Sequence, residues 1–65
     1  AHPLDQIANI LIHQLLGDDY YSREIWPQAL YFYEKAQFLA SSTPEKLEVQ
    51  RKIRQLNYFR LNKPT

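Results

Sequence analysis

The chain has 65 residues, no cysteine and a formal net charge of +1. A domain of this size buries only about 60% of the surface that its unfolded chain exposes, and the absence of cysteine excludes disulfides and thiolate zinc sites. No apolar run approaches the roughly 18 residues of a membrane-spanning helix. We therefore expect one small soluble domain that belongs to a longer protein, and the lack of cysteine favours an intracellular location.

The first predicted helix covers residues 4–22. Pro3 suits an opening helical turn, and Asp5 lies where it complements the helix dipole. Apolar side chains then follow at helical spacing. They form one predicted stripe, which comprises Ile7, Ile10, Leu11, Leu15 and Leu16, with Tyr20 next on the same face.

Two further helices are predicted, over residues 27–40 and 44–60. Pro27 fits the opening turn of the second, so residues 23–26 form the connection. Ser42, Thr43 and Pro44 mark the third start, with the Thr43 oxygen as the expected cap. The stripe of the third helix comprises Val49, Ile53, Leu56 and Phe59, and Asn62, Lys63 and Pro64 end it. No segment alternates at period two, so we predict an all-α, antiparallel three-helix bundle.

A lone glycine lies inside the first helix. Gly17 costs about 1 kcal/mol relative to alanine unless its missing side chain is used. Ala29 and Ala36, two turns apart on the second helix, are also small. We therefore expect the first two helices to approach closely at these positions, with Tyr20 and Tyr33 filling the space beside them.

The same residues resemble the tetratricopeptide repeat. Its helix-turn-helix pattern is matched in order and interval by Leu16, Gly17, Tyr20, Ala29, Tyr33 and Ala36. His13 stands where the family prefers tryptophan, and Ser41 where it prefers proline. The third helix then resembles the capping helix that closes such arrays, with a polar outer face formed by Arg51, Lys52, Arg54 and Gln55.

The resemblance implies a non-catalytic protein-protein interaction module whose first helix lines a groove for a peptide or helix of a partner. The positions expected to face outward there are Leu11, Gln14, Leu15, Asp18 and Tyr21, with Lys52 and Gln55 on the adjoining helix. Asp18 would repel a terminal carboxylate, which disfavours chaperone tails. Leu11 and Leu15 indicate an apolar ridge for an amphipathic helix, unless the third helix buries them.

A second resemblance leads to a related function. Ala29, Leu30, Tyr33 and Ala36 are similar to the A-L-x-x-Y-x-x-A element of the microtubule-interacting and trafficking domain, and "RKIRQLNYFR" is loosely similar to its third helix. This family is a three-helix adaptor that binds helical tails of membrane-trafficking subunits. Both resemblances imply a helical binding module.

Nucleic-acid binding is the alternative from another class. The third helix is basic and carries aromatic residues, whereas the first half of the chain is acidic. The residues that would contact nucleic acid are Arg51, Lys52, Arg54, Arg60, Lys63, Tyr58 and Phe59. The same cations complement their own helix end, and the overall charge is nearly balanced, so this interpretation is the less favoured.

No catalytic, cofactor or metal site is predicted. His2 and His13 lack a partner at metal-ligand spacing, so His13 is interpreted as a packed histidine. Asp18 and Asp19 alone make no metal site, and no nucleophile or phosphate-binding motif is present. A small repeat stacked on one cap buries little surface. Self-association is therefore a further hypothesis, in which Tyr31 and Phe38 lie on the outer face of the domain and contact a second copy.

Overall fold

Three α-helices make up the computed structural model, which describes residues 3–41 and 43–62. They are α1 (Pro3–Ser22), α2 (Trp26–Leu39) and α3 (Glu45–Asn62). The prediction of an all-α three-helix bundle is confirmed, and each helix boundary lies within two residues of its predicted place. His2, Ser42, Lys63 and Pro64, which entered the predictions above, lie outside the described residues.

The turn between α1 and α2 is closed by backbone hydrogen bonds. The Ile25 amide donates to the Tyr20 carbonyl at 2.9 Å, and the Glu24 amide donates to the Tyr21 carbonyl at 3.0 Å. These are the two bonds of a Schellman motif, which requires a left-handed residue after the helix. Glu24 occupies that position with φ of 60°, where glycine is the usual residue. The chain thus reverses direction without a glycine.

The start of α3 differs from expectation in one respect. The Thr43 hydroxyl donates to the Ala40 carbonyl at 3.1 Å, so it bonds back to the end of α2. The predicted role of its oxygen was to accept from the first turn of α3. The carbonyls at the end of a helix lack partners within the helix, and the Thr43 hydroxyl satisfies one of them. Thr43 therefore joins the second and third helices.

The helices form an antiparallel hairpin with α3 packed beside it. The Gln6 side-chain amide donates to the Leu39 carbonyl at 2.9 Å, which brings the start of α1 to the end of α2. The third helix packs more extensively on α2 than on α1. The buried apolar residues of the described chain come from all three helices and the turn after α2: Ile10, Ala29, Tyr33, Ala36, Ala40, Val49 and Leu56.

The contact between α1 and α2 is tight at Gly17. A Cβ atom placed there would lie 2.6 Å from both Cδ1 and Cε1 of Tyr33, closer than carbon atoms normally approach. Ala29 and Ala36 are fully buried in the same core cluster. Tyr20 stacks on Phe32, with ring centroids 5.6 Å apart. The missing side chain of Gly17 therefore makes room for an aromatic ring of α2.

The predicted apolar stripe of α1 requires correction. Ile10 is buried and Tyr20 is half-buried, but the other stripe members, Ile7, Leu11, Leu15 and Leu16, are exposed. Leu16, which the tetratricopeptide resemblance predicts to be a structural residue of the helix contact, is among them. Because α3 lies mainly against α2, it does not cover this side of α1. On α3, Val49 and Leu56 are buried as the stripe predicts, whereas Phe59 is largely exposed.

Over residues 3–41 and 43–62, no helix has both the length and the apolarity that a membrane crossing would require.

Candidate functional site

An exposed apolar face runs along α1 on the side away from its partners. We call it the α1 face and define it by Ala8, Leu11, Ile12, Leu15 and Leu16. These positions follow the i, i+3, i+4, i+7, i+8 spacing of one helical stripe. Leu11 and Ile12 are each 50% exposed, Leu15 66% and Leu16 39%. The helix therefore has one apolar side in the bundle and a second in solvent.

Of the residues expected to face a partner, Leu11 and Leu15 belong to this face. The alternative that the third helix buries them is wrong. Gln14 is only 4% exposed, so the expectation that it faces outward is also wrong. Gln14 lies four residues after Ile10 and three before Gly17, so it shares the buried side of α1 with them. Gln55 is exposed on α3 and lies outside the α1 face.

Asp18 joins all three helices. Its Oδ1 accepts a hydrogen bond from the Tyr33 hydroxyl of α2 at 2.5 Å. The ammonium of Lys52, on α3, donates to Oδ1 at 3.2 Å and to Oδ2 at 3.0 Å. Lys52 was assigned to a polar outer face and to the partner-binding set, but its side chain is mostly covered because it turns inward to this carboxylate. We call these three residues the Asp18 network.

The network changes the acidity of a buried phenol. Tyr33 is 2% exposed. Its burial, and then its hydrogen bond to the negative carboxylate of Asp18, raise the pKa of Tyr33 well above the ordinary value of 10.0. Tyr33 consequently remains neutral and keeps donating its proton across the physiological range.

Acidic residues flank the α1 face. Asp5 and Asp19 are exposed near its two ends, and α1 contains neither lysine nor arginine between residues 3 and 22. Arg23, just beyond the helix, pairs with Asp19 at 2.7 Å and lies over the Tyr20 ring. The exposed surface of α1 is therefore apolar along its middle and negative at its ends.

Sequence reasoning missed a cluster of aromatic residues at one end of the bundle. Tyr21 lies in the last turn of α1, Trp26 is the first residue of α2, and Tyr58 and Phe59 lie in the last turns of α3. Together they line a cavity of about 550 Å³. The sequence signal was the presence of two adjacent aromatic pairs, Tyr20-Tyr21 near the end of α1 and Tyr58-Phe59 near the end of α3. Using it requires knowing that α1 and α3 run in the same direction, so that the two pairs lie at the same end of the bundle.

The histidine and the carboxylates do not converge. Nδ1 of His13 lies 2.7 Å from the Asn9 carbonyl oxygen, and its ring lies 6.1 Å from that of Phe32. Within the described part of the chain, no three His, Asp or Glu side chains are grouped so as to hold a metal ion. His13 thus packs against α2, and His2 is outside the described residues.

Comparison with protein-family models, with curated proteins and with solved structures found no match to this chain. The class defined by its fold is a small all-α three-helix domain. The tetratricopeptide and microtubule-interacting resemblances stay predictions.

Proposed function

We propose that this domain is a non-catalytic protein-protein interaction module that binds an amphipathic helix of another protein along the α1 face. The observation that carries the proposal is the exposure of four large aliphatic side chains at helical spacing. A helix that is apolar on two sides is typical of one that packs between neighbours. Contiguous exposed apolar surface of this kind marks interaction sites in soluble proteins.

The chemistry of the α1 face favours a helical partner. Leu11 and Leu15 lie about one helical turn apart, and Ile12 and Leu16 form a second, parallel row beside them. A partner helix presenting apolar side chains at i, i+3 and i+7 would fill the groove between these rows. Burying a fully exposed aliphatic side chain contributes about 1.5–3 kcal/mol. The four side chains are 39–66% exposed, so covering each of them contributes about half of that toward the entropic cost of association.

Charge narrows the class of partner further. Asp5 and Asp19 flank the α1 face, and α1 itself offers no cation. We therefore infer a partner helix with lysine or arginine beyond the ends of its apolar stripe. A second copy that used the same face in an antiparallel arrangement would bring Asp5 of one copy toward Asp19 of the other, which is unfavourable.

Nucleic-acid binding through α3 is supported less well. Lys52 is engaged by Asp18 and Glu48, which removes it from the set of free cations on that helix. Arg51 and Arg54 are exposed, but the exposed apolar residues Leu47 and Tyr58 lie on either side of them along the same helix face. Such a surface lacks the continuous positive track that phosphate binding favours.

The test compares two pairs of exposed leucines. The variant Leu11→Ser/Leu15→Ser alters the α1 face, and the control Leu47→Ser/Leu61→Ser removes two leucines of α3 that are at least as exposed. The unaltered domain is first used to capture binding proteins, which are then identified. A purified helical segment of a captured protein is titrated against the unaltered domain, the α1 variant and the α3 control. We expect binding to fall at least tenfold for the α1 variant and to be unchanged for the α3 control.

Two outcomes would contradict the proposal. Equal binding by both variants would exclude the α1 face as the binding surface. A molar mass in solution twice that of the chain, reduced to the monomer value by Leu11→Ser/Leu15→Ser, would show that a second copy occupies the face instead.

A further inference from the structure

The cavity beside the aromatic cluster lies at the end of the bundle where α1 ends, α2 begins and α3 ends. Its volume is about 550 Å³, within the range of small-ligand sites. Four aromatic side chains supply most of its lining, and polar groups complete it. We call it the aromatic pocket; it is lined by Tyr21, Ser22, Glu24, Trp26, Tyr58, Phe59 and Asn62.

Neighbouring rings of the aromatic pocket stand nearly at right angles. The interplanar angle is 74° between Tyr21 and Trp26, 77° between Tyr21 and Phe59, and 82° between Tyr58 and Phe59. The centroid separations are 5.5 to 6.3 Å. Each pair is therefore packed edge to face, the arrangement that aromatic rings favour, and the rings hold one another in fixed orientations beside the cavity.

The electrostatics of the aromatic pocket favour a cation. Aromatic faces are negative because of the ring quadrupole, and Glu24 adds a carboxylate to the lining. No lysine or arginine is among the described residues that line it. Glu24 occupies the left-handed position of the turn after α1, with φ of 60°.

Tyr21 brings a desolvated phenol to the lining of the aromatic pocket. The Tyr21 hydroxyl is buried and has no hydrogen-bond partner among the described residues. Burial raises the pKa of Tyr21, so the ring stays neutral. A strongly hydrated primary ammonium would lose its water here, whereas an alkylated ammonium has fewer N–H groups to satisfy.

We infer that the aromatic pocket binds an alkylated ammonium ion, the chemical group shared by choline and by a trimethylated lysine side chain. Ring faces attract such cations within about 6 Å of the centroid, and the methyl groups pack against the aromatic lining. The volume accommodates the cationic head together with several carbons of its stem. This site is separate from the α1 face and does not depend on the function proposed for it.

The contribution of the positive charge to binding is measured by comparing the affinity of choline with that of 3,3-dimethyl-1-butanol, its neutral isostere. Trp26 is the single tryptophan of the chain and lines the pocket, so its fluorescence reports binding; calorimetry provides an independent measurement. We expect choline to produce a saturable change and to bind at least tenfold more tightly than the isostere. Equal affinities would overturn the inference, because an apolar cavity alone would explain them.

Variants locate the site. Tyr58→Ala removes a pocket wall, and Tyr31→Ala is the matched control because Tyr31 is similarly exposed but lies on α2 outside the pocket. We expect at least tenfold weaker choline binding for Tyr58→Ala, several-fold weaker binding for Glu24→Gln, and no change for Tyr31→Ala. Circular dichroism checks that each variant remains folded. Unchanged affinity for a folded Tyr58→Ala, or no saturable signal with the unaltered chain, would overturn the inference.

The source of the ammonium group is resolved with peptides. A short peptide with one trimethyllysine is compared with choline and with the same peptide carrying unmodified lysine. Tighter binding of the trimethylated peptide supports a modified protein as the source, and tighter binding of choline supports a small molecule or lipid headgroup. Preference for the unmodified lysine peptide would contradict the requirement for alkylation.

Discussion

The ring of Tyr33 occupies the space above Gly17 so closely that a Cβ atom there would lie 2.6 Å from two ring carbons. This contact holds α1 against α2 and also directs the Tyr33 hydroxyl to Asp18, the next residue along α1. One aromatic side chain thus couples the close packing of the hairpin to the polar network that reaches α3.

The first prediction concerns this contact. Gly17→Ala gains about 1 kcal/mol of helix propensity, but overpacking against the ring costs about 1–3 kcal/mol, so we expect net destabilisation. In a Tyr33→Leu background the ring is absent, and the same substitution should be stabilising. Urea denaturation of the four proteins measures the coupling. Identical effects of Gly17→Ala in both backgrounds would refute the packing account.

Two adjacent aspartates provide the second prediction. Asp18 accepts from Tyr33 and Lys52 in a partly buried network, whereas Asp19 forms an exposed pair with Arg23. We expect Asp18→Asn to lower the free energy of unfolding by about 1–2 kcal/mol, and Asp19→Asn by about 0.3–0.5 kcal/mol. The denaturation midpoints of the two variants test the ranking. A larger loss for Asp19→Asn would contradict it.

The third prediction is a dependence of stability on alkaline pH. The pKa of Tyr33 is raised in the folded chain, so its contribution is fully present below the unfolded tyrosine pKa of about 10. It is lost as the pH rises from there through the folded pKa, by up to about 1.4 kcal/mol per pH unit. The free energy of unfolding should therefore fall more steeply above pH 10 in the unaltered chain than in Tyr33→Phe. Parallel curves for the two proteins would argue against a buried, neutral Tyr33.

The fourth prediction separates the two sides of α1. Ile10 is fully buried and Leu11, its neighbour, is half exposed. Ile10→Ser should cost at least about 3 kcal/mol, since it removes core contacts and buries a hydroxyl, and should leave the small domain largely unfolded. Leu11→Ser should change stability by about 0.5 kcal/mol or less. Thermal melts followed by circular dichroism measure both. Comparable losses would place Leu11 in the core.

Much of the fold is predictable because it depends on local signals. Pro3, Pro27 and the segment around Pro44 each mark a helix start, and the observed boundaries lie close to them. Gly17 indicates a close helix contact because its cost within a helix needs a compensating gain. These inferences require no knowledge of how the third helix is placed.

What could not be predicted depends on that placement. The apolar stripe of α1 gives no indication of which leucines α3 leaves uncovered, and Lys52 turns inward because it pairs with the Asp18 carboxylate of α1. The burial of Gln14 could have been expected from its spacing to Ile10 and Gly17. The left-handed backbone conformation of Glu24 could not be predicted either, because glycine is the usual sequence signal for that conformation. The aromatic pocket combines residues more than 30 positions apart, which periodicity alone does not bring together.

The described side-chain contacts of α1 with α3 lie near its C-terminal end, at Asp18 with Lys52 and at Tyr21 with Phe59. In its opening turns, the described tertiary hydrogen bond is to α2, from the Gln6 side-chain amide to the Leu39 carbonyl. Local unfolding should therefore begin at that end, and backbone amides there should exchange with deuterium sooner than those near Asp18. A partner bound along Leu11 and Leu15 would stabilise the half of α1 that opens more readily. Slower amide exchange in the early turns of α1 would therefore be a sensitive indication that the α1 face is occupied.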